Sequence, residues 1–177
     1  MKALCLLAEG FEDVEALAPV AILRRAGIKT DLCSLADLVV IGSHGERVIA
    51  DLTLDDASED EYDCLMLPGG RGHVNLEKDE RVLKLIRKFF AEDRYVGAIC
   101  AAPTIIGRMG LLKGRDYTCF TPQNEDFGGT YHHQHVVVDG KLITARAMAA
   151  SIDYGLKLVE VLGSPELCQQ VKERIYY

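Results

Sequence analysis

Short apolar runs that stop at glycine or proline alternate along this chain with segments of helical periodicity. That alternation restricts the fold more than any other feature of the sequence. Lys2–Ala8 is apolar and ends at Glu9-Gly10, as a buried strand followed by a turn does. From Glu12 to Ala26, Val14, Leu17, Ala18, Ala21 and Ile22 recur at helical spacing. Glu12 and Asp13 open this helix, Arg24 and Arg25 close it in keeping with its dipole, and Gly27 ends it. Ile28–Ser34 reads as a second strand. Val39–Ile41, Arg47–Ala50 and Leu52–Leu54 read as small strands around a Gly42–Gly45 turn.

Further along, Asp63–Leu67 is a buried strand stopped by Pro68-Gly69-Gly70. Val82, Leu85, Ile86 and Phe89 mark a helix from about Glu80 to Glu92. Tyr95–Ile99 is the next strand and Ala101–Met109 the helix after it. Gln134–Val138 and Lys141–Ala145 flank Asp139-Gly140, a hairpin signal. Ile152, Leu156, Val159 and Leu162 make a late helix, and Pro165–Tyr177 a short closing one. Strands alternating with helices at this spacing predict a parallel sheet covered on both faces. The expected fold class is therefore α/β: a flavodoxin-like (Rossmann-like) three-layer α/β/α sandwich with a mainly parallel sheet. At 177 residues, with no repeat or linker, one domain over 1–177 is expected.

Charge narrows the partners. Lys and Arg number 20 against 27 Asp and Glu, a net charge of −7, which disfavours nucleic acid and anionic membrane. No apolar run reaches the ~18–20 residues that span a bilayer. The apolar start, Met1–Gly10, is too short for a signal peptide, so a cytoplasmic location is expected. The six cysteines show no C-x-x-C spacing, which argues against a zinc knuckle; in a reducing compartment they are free thiols. Neither a metal nor a cofactor is expected.

In sheets of this kind, sites lie beyond the carboxyl ends of the strands. Three places there are unusual: Glu9–Glu15, Pro68–Gly72 and Ile99–Pro103. Cys100 follows the strand Tyr95–Ile99 directly and precedes a helix, whose N-terminus would lower the thiol's pKa from its usual ~8.5. The competing account is a small buried core residue. Core packing is the better account of Cys5, Cys33 and Cys64, which lie inside strands, and neither Cys119, in a short strand, nor Cys168, on the last helix, has a context arguing for reactivity. Gly69-Gly70 allows close backbone approach and exposed N–H groups, as an oxyanion hole needs, and equally serves a plain turn. Glu15 lies one turn into the first helix, and Pro19 removes the donor its carbonyl would have used, so a kink is expected there. By itself Glu15 reads as one acid complementing the helix dipole.

The histidines have a bland account too. His132, His133 and His135 cluster before the hairpin, where a polar loop is favoured over a metal site. His73, just past the double glycine, is a further candidate to reach the Cys100 pocket. Asp55-Asp56 and Glu59-Asp60-Glu61 read as a solvated helix face.

Taken together, Leu65-Met66-Leu67-Pro68-Gly69-Gly70, Ala98-Ile99-Cys100-Ala101-Ala102-Pro103-Thr104 and Glu12-Asp13-Val14-Glu15, with Pro19 and Arg24-Arg25-Ala26-Gly27-Ile28, resemble the DJ-1/ThiJ/PfpI superfamily, on its DJ-1 and ThiJ side. The resemblance spans essentially the whole chain. It implies a flavodoxin-like fold and a homodimer. It implies that Cys100 is an oxidisable nucleophile and that Glu15 is a protonated acid donating a hydrogen bond to the sulfur. Gly70 and Ala101 match the backbone donors that face an oxyanion. The protease-like branch places His directly after the cysteine; Ala101 stands there, which disfavours a peptidase. Thr121 stands where DJ-1 has a His before proline, and Ala147-Met148 replaces the family's Gly-Pro after the strand-end Arg146.

Two readings follow. In the first, an enzyme of glyoxalase or deglycase type acts in stress protection on small reactive aldehydes or their early adducts, with Cys100 attacking a small-molecule carbonyl substrate. In the second, Cys100 oxidises to sulfenic or sulfinic acid as a redox sensor or protective thiol, without dedicated turnover.

Overall fold

The computed structural model describes residues 1–177. In chain order its strands are β1 (Lys2–Leu7), β2 (Lys29–Ser34), β3 (Val39–Ile41), β4 (Arg47–Ile49), β5 (Leu52–Thr53), β6 (Cys64–Leu67), β7 (Tyr95–Ile99), β8 (Asp116–Tyr117), β9 (Thr130–Tyr131), β10 (Val136–Asp139) and β11 (Leu142–Ala145). The helices are α1 (Asp13–Arg25), α2 (His73–Lys78), α3 (Glu80–Ala91), α4 (Pro103–Arg108), α5 (Ser151–Leu162) and α6 (Pro165–Arg174). The main sheet runs β10-β11-β7-β6-β1-β2-β5. Every pairing in it is parallel except β10 with β11, the expected hairpin across Asp139-Gly140. Its five longest parallel strands follow the flavodoxin-like order 2-1-3-4-5.

Strand periodicity explains the two cores. Along β1, Leu4 and Leu6 face one side, while Ala3, Cys5 and Leu7 face the other, and all five are buried. Helices α1, α5 and α6 cover the second face; α3 and α4 cover the first. α1 runs unbroken through Pro19. It closes on α5 at Gly155, where a Cβ would stand 3.0 Å from the Pro19 Cα.

Three expectations need correction. The helix after β7 begins at Pro103, not Ala101, because Ala102, Thr104 and Ile105 donate to carbonyls three residues back, a tight turn rather than α-helix. Cys119 lies outside any strand: β8 stops at Tyr117, and the Thr118 N–H turns to the Thr144 hydroxyl, 2.9 Å away. Residues 55–61 form a turn and one 3₁₀ turn, Glu59–Glu61, not a helix face; Asp55 pairs with Arg81, and Glu59 and Asp60 with Lys88. No helix is long and apolar enough to cross a membrane.

Candidate active site

β1 has β2 on one side and β6 on the other, so the order of the sheet reverses there and a crevice opens beyond the carboxyl ends of β1 and β6. The loop and helix after β1, the glycine loop after β6 and the turn after β7 meet in it.

Cys100 holds the turn after β7 with φ 64°, in the left-handed region that side chains other than glycine rarely occupy. Two main-chain bonds keep it there: its N–H donates to the Ala145 carbonyl at 2.9 Å, and its own carbonyl accepts from Phe120 N–H at 2.7 Å. Such a conformation costs on the order of 1–3 kcal/mol and persists only where the surroundings over-determine it. It also redirects the side chain. Val96 and Ala98 face the α3–α4 side, and simple alternation would send position 100 the same way. Cys100 packs instead against the core on the α1 side, where Glu15 lies.

Glu15 is 2% exposed, and its Oε2 accepts the Gly69 N–H at 3.0 Å. Gly69 sits between acid and thiol. A Cβ there would stand 2.6 Å from Glu15 Oε2 and 2.8 Å from the Cys100 Cβ, so this contact admits only glycine. Gly70 takes φ 75° and bridges to Phe11, and a Cβ on it would meet the Glu12 nitrogen at 2.4 Å. The backbone N–H groups of Gly70 and Ala101, close to the Cys100 sulfur, pull its pKa down.

Larger effects oppose them. Burial, and then the neighbouring Glu15 carboxyl, push the thiol well up. The expected lowering by a helix N-terminus does not dominate, because α4 begins three residues later and spans only six residues. Burial likewise raises Glu15 from 4.5 to about 7, against the opposing hydrogen bond to Cys100. The pair is coupled, and its carboxyl loses a proton before its thiol does. Carrying a single proton, it has a charge of −1, held either on the carboxylate or on the sulfur facing two N–H donors. The second arrangement is a nucleophile with a proton donor beside it.

His73 meets the site through the glycine loop. Its Nδ1 donates to the Gly70 carbonyl at 2.7 Å. Around the rim, Phe120 and Met148 expose apolar surface, Thr121 Oγ1 lies 2.7 Å from the Tyr131 hydroxyl, and Arg146 leans on the His133 ring. The histidines before the hairpin go separate ways: His132 pairs with Asp116 and His135 with Asp153. Glu12, Asp13 and His44 bring possible ligand atoms within 4.8 Å of one another at the start of α1, with His44 exposed. Sequence reasoning missed the left-handed Cys100 and the part played by Gly69. The double glycine signalled the second; no residue type signalled the first.

The DJ-1/PfpI family model matches residues 1–161. The deglycase PfpI of Pyrococcus furiosus is 38% identical over 149 residues, covering 82% of this chain and 90% of the relative. The deglycase PH1704 of Pyrococcus horikoshii is 34% identical over 165 residues, 92% of this chain and 99% of the relative. Among solved structures, DJ-1beta of Drosophila melanogaster superposes with a TM-score of 0.93 at 31% identity, over 99% of this chain and 97% of that one.

Proposed function

The chain belongs to the DJ-1/PfpI family, and from that membership we propose that it is a cysteine-dependent enzyme of glyoxalase or deglycase type, acting in stress protection on small reactive aldehydes or their early adducts. One observation carries the reading: Glu15 and the N–H groups of Gly70 and Ala101 converge on a Cys100 held at φ 64°. The naming of 34–38% identical relatives as deglycases supports it.

With methylglyoxal, the Cys100 sulfur bonds the aldehyde carbon. The carbonyl oxygen becomes an oxyanion facing the Gly70 and Ala101 N–H groups and takes the Glu15 proton, giving a hemithioacetal. The Glu15 carboxylate then removes the proton from the former aldehyde carbon and returns it to the adjacent carbon, while the hydroxyl proton passes to the former ketone oxygen, which leaves a thioester. Water releases lactate and the free thiol. In an early adduct the amine or thiol already on that carbon is the leaving group. No histidine follows Cys100, so proton transfer falls to Glu15.

Purified protein is assayed with methylglyoxal beside Cys100→Ser and Glu15→Gln. Wild type should exceed both by at least about a hundredfold, the usual scale of a lost nucleophile or general acid–base. Turnover no faster than Cys100→Ser, together with stoichiometric peroxide oxidation at Cys100, would replace the enzyme by the redox sensor. The same reading takes residues 1–177 as one cytoplasmic domain that forms a homodimer and has small carbonyl compounds, not nucleic acid or membrane, as partners. The net charge of −7 supports the last point, and the apolar side chains of Leu38, Val39, Ile41 and Ile49 exposed around the β3–β4 hairpin support a second copy.

A further inference from the structure

A separate cavity of about 310 Å³ opens at the carboxyl ends of β1 and β2, with β6 between these strands and β7, whose end carries Cys100. Apolar side chains, Leu7 and Val40 among them, form part of its wall, and Glu9, Ser34, Asp37 and Asn75 supply the polar groups. Ser34 is 1% exposed, yet its hydroxyl finds no partner in the protein. Buried hydroxyls are ordinarily paired, so an orphan lining a cavity points to a ligand.

The remaining polar groups set that ligand's chemistry. Glu9 uses Oε1 for the Ile41 N–H, which leaves Oε2 free. Asn75 gives its side-chain nitrogen to the Glu9 carbonyl and retains its oxygen as an acceptor. Asp37 is exposed and unpaired. No Lys, Arg or His lines the cavity. The wall therefore offers acceptors and two carboxylates with no cation to balance them. Its volume lies at the small end of ligand pockets, which run from about 300 Å³.

We infer that this cavity binds a small primary ammonium compound with a short apolar body. An ammonium group is donor-only, with three N–H bonds to distribute among Asp37, Glu9 and Ser34. The hydrocarbon body then lies against Leu7 and Val40. An anion is repelled, and a neutral alcohol leaves both carboxylates unbalanced. The inference is independent of the chemistry proposed for Cys100.

The probe is n-butylammonium, titrated into isotope-labelled full-length protein while the amide resonances of Ser34, Asp37 and Asn75 are followed, with n-butanol and butyrate in parallel. Saturable shifts at those residues are expected at millimolar concentration, and none with butyrate. Asp37→Asn should weaken binding about fivefold, the scale of one partly exposed ion pair, and about 0.5 M salt should weaken it as well. Ser34→Ala removes an unpaired hydroxyl, so it should weaken binding without lowering the melting temperature. Butanol saturating as tightly as butylammonium overturns the inference, as does an unchanged affinity in Asp37→Asn. The absence of saturable shifts by about 50 mM, well beyond millimolar affinity, overturns it too.

Discussion

Replacing Glu15 by Gln should stabilise the folded protein, and by an amount that grows with pH. Burial raises the Glu15 carboxyl to about 7 in the folded state, against an ordinary 4.5. Between those two values the unfolded chain releases a proton that the folded protein keeps. Unfolding is therefore increasingly favoured as pH rises through that window. Stability is fully present below about pH 4.5 and is lost as pH rises to about 7. At about 1.4 kcal/mol per pH unit, a gap from 4.5 to about 7 amounts to roughly 3 kcal/mol. Glutamine stays neutral throughout, and its side-chain oxygen still accepts the Gly69 N–H, so the variant avoids this loss. Urea unfolding of both proteins at intervals from pH 4 to pH 8 measures the difference directly, and the other carboxylates cancel in it. The variant should be near wild type at pH 4 and more stable by about 2–3 kcal/mol at pH 8. A difference that stays flat across this range, or one that favours wild type as pH rises, refutes the reasoning.

Three further outcomes follow from the same site. Gly69→Ala places a methyl group between Glu15 Oε2 and the Cys100 Cβ, so it should abolish turnover and lower stability by about 1–3 kcal/mol in urea titration. His73→Ala removes the imidazole donor from the Gly70 carbonyl and leaves it only the longer bond from the residue-73 backbone N–H, 3.3 Å; alkylation of Cys100 by iodoacetamide should slow severalfold, and His73→Asn, which can place an N–H near the same position, should recover part of the rate. Cys100→Gly should melt above Cys100→Ala by about 1 kcal/mol equivalent, because glycine alone takes φ 64° without strain; equal melting temperatures would deny that the turn is strained.

How much of this was legible in the sequence depends on the range of the interactions involved. β7 falls on Tyr95–Ile99 as expected, and β1, β2 and β6 lie within a residue of their expected bounds, since a fully apolar run bounded by Gly or Pro carries its own signal. α2 was not expected: six residues between the glycine loop and α3 are too few for a periodic pattern. The helix after Cys100 came out too long because the tight turn at Cys100–Ala102 is set by bonds from Ala145 and Phe120, both remote in the chain. Position alone singled out Cys100 as a candidate. Glu15 was not distinguishable from Glu12 and Asp13 by position, and only the family resemblance raised it. What separates it is burial against Gly69, a contact across 54 residues of chain.

The burial of the other cysteines has a practical consequence. Cys5, Cys33, Cys64, Cys119 and Cys168 are all buried in the folded protein, out of reach of a reagent in solution. Cys100 is the one cysteine with partial exposure. A brief pulse of a maleimide reagent should therefore add one label to folded molecules and six to unfolded ones. The protein carries its own unfolding gauge, readable by mass in a mixture or a cell extract, and its candidate nucleophile can be tagged without removing any other thiol.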